Sequence, residues 1–263
     1  MRKYVILAMV ALASLVVASF AQADQTITAS VTPSKLDKKK AKNVKLLVDI
    51  RTTDKNANQQ QPPDADRTVV DFPKNLSFNT KAVPRCKATE AQLQNTTTET
   101  AISLCGKKSV VSIGAPVQID PATRSVTTET GALVIVDFDP VNPGSTPTYV
   151  PVQLTAINGT DKNTLYLHSK ALTLPVTNIL VGKLVKGPSG YGKSLDVTIP
   201  QLAAGGIADF KVTVKAGNYV SAVCKSKKMP FAATTTYSDA PTTVGKYEGK
   251  CTQKKSKKKK GKK

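Results

Sequence analysis

Apolar and polar residues alternate with a period of two along much of the chain, the pattern of half-buried strands. Residues 26–32 (Thr-Ile-Thr-Ala-Ser-Val-Thr) alternate strictly, and Val44–Ile50 is strand-like again. Arg67–Pro73 and Asn75–Asn79 read as short strands separated by a Pro turn. From Val110 onward, strand follows strand: Val110–Ile119, Val126–Phe138, Tyr149–Ile157, Thr164–His168, Leu172–Thr177, Ile179–Lys186, Leu195–Ile199, Ile207–Val214 and Tyr219–Val223. Gly, Pro, Asn and Asp punctuate them, with Asn158-Gly159 and Gly205-Gly206 as strong turn signals. Residues 53–66, with Pro62-Pro63 and several Asn, Gln and Asp, have no apolar face to bury and read as a polar loop. Residues 88–94 form the one short helix, capped by Thr89 and favoured by Ala91 and Leu93, and Asn95–Thr100 reads as a Thr-rich linker. Regular short strands with turn residues between them predict an all-β fold, an antiparallel β-sandwich of jelly-roll or Ig-like type with one short helix.

Two segments break the pattern. Arg2 and Lys3 precede an apolar run, Tyr4–Phe20, and Ala21-Gln22-Ala23 supplies a small-x-small cleavage site. Residues 1–23 therefore read as a signal peptide, with export of the remainder. No later stretch approaches about 18 apolar residues, so no further membrane span is expected. At the other end no apolar residue follows Cys251, and eight lysines crowd residues 253–263: Lys254, Lys255, Lys257, Lys258, Lys259, Lys260, Lys262 and Lys263. Like charges at that density repel and cannot pack, so the segment reads as a disordered tail, with residues 24–252 as the β-domain.

The formal net charge of the 263-residue chain is +20, from 38 Lys+Arg against 18 Asp+Glu. Two of those positive charges belong to Arg2 and Lys3 and eight to the tail, which leaves +10 on residues 24–253. A basic excess of this size attracts polyanions. Within the domain Lys35–Lys45, containing Lys38-Lys39-Lys40, holds a share of it.

The four cysteines, Cys86, Cys105, Cys224 and Cys251, all lie in the exported part, and an even number there reads as two disulfides. Three pairings are possible. Cys86–Cys105 and Cys224–Cys251 are preferred because each closes a short loop, and each would contribute about 3 kcal/mol. With no CxxC spacing and a lone histidine far away, no metal site is expected.

Several motifs test against chemistry and fail. Gly187-Pro-Ser-Gly-Tyr-Gly-Lys-Ser194 matches the phosphate-loop pattern, but that chemistry needs a helix to follow, and Leu195–Pro200 is strand-like. A hairpin turn with Gly190 and Gly192 at positive φ is expected instead. His168 lies at a predicted strand end without a triad partner and reads as a surface or partly buried structural residue. Asp137 and Asp139 flank a Pro turn and read as capping or solvated rather than as a glycosidase pair. Asn75, Asn95 and Asn158 open glycosylation sequons.

The order of motifs resembles a family of uncharacterised secreted β-rich proteins of soil actinobacteria. The resemblance is carried by Pro33-Ser34-Lys35, Phe72–Phe78, Cys86 and Cys105 around a small helix, the segment Gly106–Gly114, the Gly190-Tyr191-Gly192-Lys193 turn, and a last cysteine before a lysine tail. Gly106 stands where that family usually has Pro. The resemblance implies a β-sandwich, a structural role for the Tyr-Gly turn, and no assigned activity.

The expectation is an exported, non-enzymatic β-sandwich protein without a cofactor, acting at the cell envelope. Its lysine tail would associate with anionic envelope polymers or an acidic lipid surface. The tail lacks interleaved aromatics, so specific nucleic-acid recognition is not expected. The alternative is a carbohydrate or small-ligand binding module on the sandwich face, where stacking would fall to Tyr149, Tyr166, Tyr191 or Tyr219, since tryptophan is absent.

Overall fold

The computed structural model describes residues 23–54, 61–113, 117–136, 147–200, 205–215, 217–238 and 240–254. Residues 1–22, which hold most of the expected signal peptide, Asp137, Asp139 and the lysines from Lys255 onward lie outside these. The chain opens with β1 (Ala23–Thr32), β2 (Lys35–Leu36), β3 (Lys42–Asn43), β4 (Lys45–Asp54), β5 (Ala65–Pro73) and β6 (Leu76–Phe78). Two helices follow, α1 (Glu90–Leu93) and α2 (Thr98–Cys105). Next come β7 (Val110–Ile113), β8 (Ile119–Asp120), β9 (Ser125–Val126), β10 (Gly131–Val136), β11 (Thr148–Asn158), β12 (Thr164–Ala171) and β13 (Thr177–Lys186). The last are β14 (Tyr191–Thr198), β15 (Gly206–Val214), β16 (Val220–Ala222), β17 (Lys228–Tyr237), β18 (Thr243–Lys250) and β19 (Thr252–Gln253).

The expected β-rich character is found, organised as one large antiparallel sheet. Its order is β1-β4-β15-β10-β11-β12-β13-β14-β5-β17-β18, with β7 added to β11. The edge strand β18 packs against the other edge strand β1, so the sheet is nearly closed on itself. Gly245 makes this approach possible: a Cβ there would lie 3.1 Å from the Gln25 carbonyl oxygen and 3.3 Å from the Ile27 amide nitrogen. Ile27, Ala29 and Val31 of β1 point inward and alternate with exposed polar residues, as their sequence period requires. They join Leu46, Val48 and Ile50 of β4, Val70 and Phe72 of β5 and Phe231 of β17 in the main core.

Two covers lie on the outside of the sheet, one burying the outer faces of β11 and β12, the other those of β10 and β15. One is the segment from Cys86 to Cys105, where Leu93, Ala101 and both cysteines pack on Ile157, Tyr166 and Ile179. The other is the β8–β9 hairpin, whose Val126 packs with Val117, Leu133, Ile135 and Ala208. A small sheet, β3-β16-β6, contributes Leu76, Val220 and Ala222 to the main core.

Several expectations are corrected. Among the described residues there are two α-helices rather than one: Thr97 caps α2 by accepting from the Thr100 amide, so the Thr-rich stretch starts a helix instead of linking strands. Leu172–Val176 is a loop, in which Pro175 has no amide to donate, and the Leu172 amide donates to the Pro151 carbonyl. The β17–β18 hairpin was not anticipated, because Pro230 and the interspersed lysines obscure its alternation.

Candidate polyanion-binding site

The lysine-rich segments are far apart in sequence, and the fold brings them to one end of the molecule. The registers of β1 with β4 and of β17 with β18 set Thr32, Lys45, Lys228 and Lys250 at the same end of the sheet. There, Thr252 and Gln253 of β19 pair in parallel with Lys35 and Leu36 of β2. The Lys254 amide donates to the Leu36 carbonyl at 2.9 Å, and its ammonium donates to Asp37 at 3.2 Å. The Cys224 amide donates to the Asp37 carbonyl, and the Gln253 side-chain amide donates to the Cys224 and Lys225 carbonyls at 3.0 and 3.1 Å. Lys42 pairs with Ala222 through β3 and β16.

Two disulfide-distance pairs are present, Cys86–Cys105 with sulfurs 1.92 Å apart and Cys224–Cys251 with sulfurs 2.06 Å apart. They match the local pairing preferred from sequence. The second one ties the Lys225–Lys228 loop to the strand that leads into the tail. Both of its cysteines are buried, so the bond is an internal fastener beneath a charged surface.

The result is a cationic end. Lys35, Lys38, Lys39, Lys40 and Lys42 come from one segment, Lys225, Lys227 and Lys228 from a second, and Lys250 and Lys254 from a third. All ten are exposed, and the carboxylates interleaved with them are Asp37 and Glu248. Lys228 and Lys250 stand directly opposite one another in the β17–β18 ladder, a like-charge pairing that costs stability, and Glu248 answers Lys228 at 3.0 Å. Lys35, Thr252, Gln253 and Lys254 line a shallow cleft on this surface. Of the eight tail lysines, Lys254 is described and sits in this cluster; Lys255, Lys257, Lys258, Lys259, Lys260, Lys262 and Lys263 continue the chain from it.

Other residues singled out from the sequence have structural placements. Gly187–Ser194 is the β13–β14 hairpin turn and the start of β14: the Tyr191 amide donates to the Pro188 carbonyl, and Gly190 has φ +96°. Gly192 is not at positive φ; it lies instead where a Cβ would meet the Lys74 backbone at 3.1 Å. The Ser194 hydroxyl is buried and donates to Asp71, so it is not available to a ligand. Asn75 and Asn158 are buried, the latter donating to the Thr80, Val83 and Pro84 carbonyls. Tyr166 and Tyr219 are buried and Tyr149 and Tyr191 half-buried, so the four do not form one exposed stacking platform.

His168 lies within β12 and is fully buried, not at a strand end. The helical cover places Thr96 over it, 3.1 Å from Nε2, and burial pulls the imidazole below its ordinary range.

One charged cluster was missed by sequence reasoning. Asp209 is fully buried beneath the β8–β9 hairpin, accepting from the Val126 amide at 2.6 Å. Lys211 reaches the Val126 carbonyl at 2.6 Å and Asp49 at 3.4 Å, and Arg51 lies 3.8 Å from Asp209. Burial, with the neighbouring Asp49 charge, pushes the Asp209 carboxyl up to about 7. Its chemistry serves the attachment of the hairpin. Among the described residues, no group of three or more His, Cys, Asp and Glu is arranged to hold a metal, and no helix is long and apolar enough to cross a membrane. Compared with known proteins, the chain matches no protein-family model and no curated protein.

Proposed function

We propose that the protein is an exported, non-enzymatic β-sandwich whose cationic end holds it on anionic polymers or acidic lipid headgroups of the cell envelope. The nearly closed sheet is read as two layers meeting along β1 and β18. Export is supported by the signal-like N-terminus and by the two disulfide pairs, which persist in oxidising compartments. The resemblance to secreted actinobacterial β-rich proteins belongs to the same reading.

The observation that carries it is the convergence of three lysine-rich segments at one end, fastened by β2–β19 pairing and by Cys224–Cys251. The tail then adds its lysines to a surface that is already basic, not to a neutral domain. Clustered like charge produces a potential that captures a polyanion over a distance set by the Debye length, about 8 Å at physiological salt.

The test is co-sedimentation of the exported chain with lipoteichoic acid and with vesicles containing phosphatidylglycerol, against phosphatidylcholine vesicles. The expected result is binding to both anionic targets and none to the neutral one. Equal binding to neutral vesicles would sink the proposal. Duplex DNA should compete without sequence preference, because the site offers charge and no base-reading geometry.

A further inference from the structure

We infer that the interior of the curled sheet, entered from the end away from the lysines, is a binding site for the alkyl chain of an uncharged single-chain amphiphile. Three adjoining cavities occupy that interior. The largest, about 140 Å³, is walled mainly by apolar side chains of β10, β11, β12, β13 and β15, with Ser169 and Asn178 as its polar lining. Two more of about 50 Å³ each continue from it. Phe210 borders all three; Leu180 and Ile207 join the largest to one small cavity, and Val70 and Leu195 join the two small ones. Protein interiors seldom hold voids larger than a water molecule. An apolar cavity of about 150 Å³ takes up a benzene-sized group.

The shape and the chemistry select the ligand. A series of spaces bent around one aromatic ring accommodates an unbranched, flexible chain better than a rigid ring system. None of the three cavities is lined by a charged side chain, which excludes a carboxylate or phosphate inside. Two buried polar atoms within this interior have no partner: Oε1 of Gln25, which lines one small cavity, and the hydroxyl of Tyr219, which lines the other. Such orphans are uncommon in native interiors. They lie in different cavities, so a ligand's hydroxyl or carbonyl group would meet one of them, the Gln25 acceptor or the Tyr219 hydroxyl, according to how far the chain enters.

An entrance is also present. Leu172 and Val176, in the β12–β13 loop, are 44% and 45% exposed, while Leu174 between them lines the largest cavity. Apolar residues at such a rim guide a chain inward. This rim adjoins the Ala171 and Thr177 strand ends, opposite the end that carries Thr32 and Lys45. No lysine lines any of the three cavities, so the two sites can be tested separately.

The experiment is photolabelling of the whole exported chain with a diazirine analogue of 1-decanol. The expected result is saturable labelling at one probe per chain, competed by unlabelled 1-decanol and unchanged in 1 M NaCl. Label should map to residues 132–136, 150–154 and 169–176. Ala171→Leu, which fills the largest cavity, should lower labelling at least tenfold while the circular dichroism spectrum is retained. Non-saturable labelling, or label confined to other peptides such as the one holding exposed Leu104, overturns the inference. Should Ala171→Leu not fold, the labelled positions and the competition in the unaltered chain still decide it.

Discussion

At the scale of single residues, the buried ionisable groups make opposite contributions to stability. Asp209, raised to about 7 by burial and the Asp49 charge, holds a proton in the folded state over a pH range where the unfolded carboxyl, near 3.9, has lost it. Folding is therefore favoured by Asp209 protonation, and stability falls as pH rises from about 4 to about 7. Asp209→Asn keeps an acceptor for the Val126 amide and removes the charge. It should stabilise the protein above pH 7 by an amount on the order of 2–4 kcal/mol, with the gain vanishing toward pH 4. Urea unfolding at pH 4.5 and pH 8 checks this; an Asn variant less stable at pH 8 would show that the ionised carboxylate is needed by Arg51.

His168 has the reverse sign. Its pKa is lowered by burial, so its contribution is present above the unfolded imidazole value near 6.5 and is lost as pH falls. In the Asp209→Asn variant this limb should stand alone between about pH 6.5 and about pH 5, as stability declining on acidification; below that the lowered Glu129 and Asp196 carboxylates add to the decline. Neither residue announces this in the sequence. His168 and Asp209 face outward on their strands, and their burial comes from covers supplied by residues 86–105 and 117–126, remote in the chain. Period-two alternation shows which side of a strand is polar but not whether a later segment will lie over it.

At the scale of elements, the chain is most legible where one face meets water. β1 follows its alternation residue by residue, and the Thr89 capping box with Gln92 marks the start of α1. Legibility fails where both faces are covered or where turn residues mimic linkers, as in the Thr96–Thr98 stretch that caps and opens α2. The α1–α2 cover depends on Leu93, which is fully buried against the sheet. Leu93→Ala should cost about 2–5 kcal/mol, measured by urea unfolding. A cost under about 0.5 kcal/mol would mean the cover is not packed as described.

The Cys224–Cys251 disulfide spans a 27-residue separation. Replacing both cysteines by Ser should cost about 3–4 kcal/mol on the loop-closure account. It should also release Thr252–Lys254 from β2, weakening capture of anionic vesicles even under conditions where the domain is still folded. Retention of full binding with the domain intact would show that the fastener does not organise the site.

At the scale of the whole molecule, the lysine runs were visible in the sequence as two separate features, a Lys35–Lys45 segment and a terminal tail. Their union was not, because it is made by a two-residue parallel pairing, β2 with β19, that no local pattern signals. The third contributor, Lys225–Lys228, arrives through the unanticipated β17–β18 hairpin and the disulfide. The net charge of +20 thus resolves into a moderately basic domain in which ten exposed lysines, Lys254 of the tail among them, gather at the end from which the tail departs.

A titration of affinity against salt tests that concentration most directly. The full chain, a chain ending at Lys254, and the full chain carrying K38E, K39E and K40E would each be titrated with phosphatidylglycerol vesicles between 50 and 500 mM NaCl, as rough bounds for strong and weak screening. The account predicts steep salt dependence for the full chain. It predicts a shallower but measurable dependence for the shortened chain, because the folded lysines still act, and a loss of at least about tenfold in affinity for the triple substitution with the tail intact. Affinity unaffected by K38E, K39E and K40E, together with complete loss on shortening, would contradict it, since the tail would then act alone.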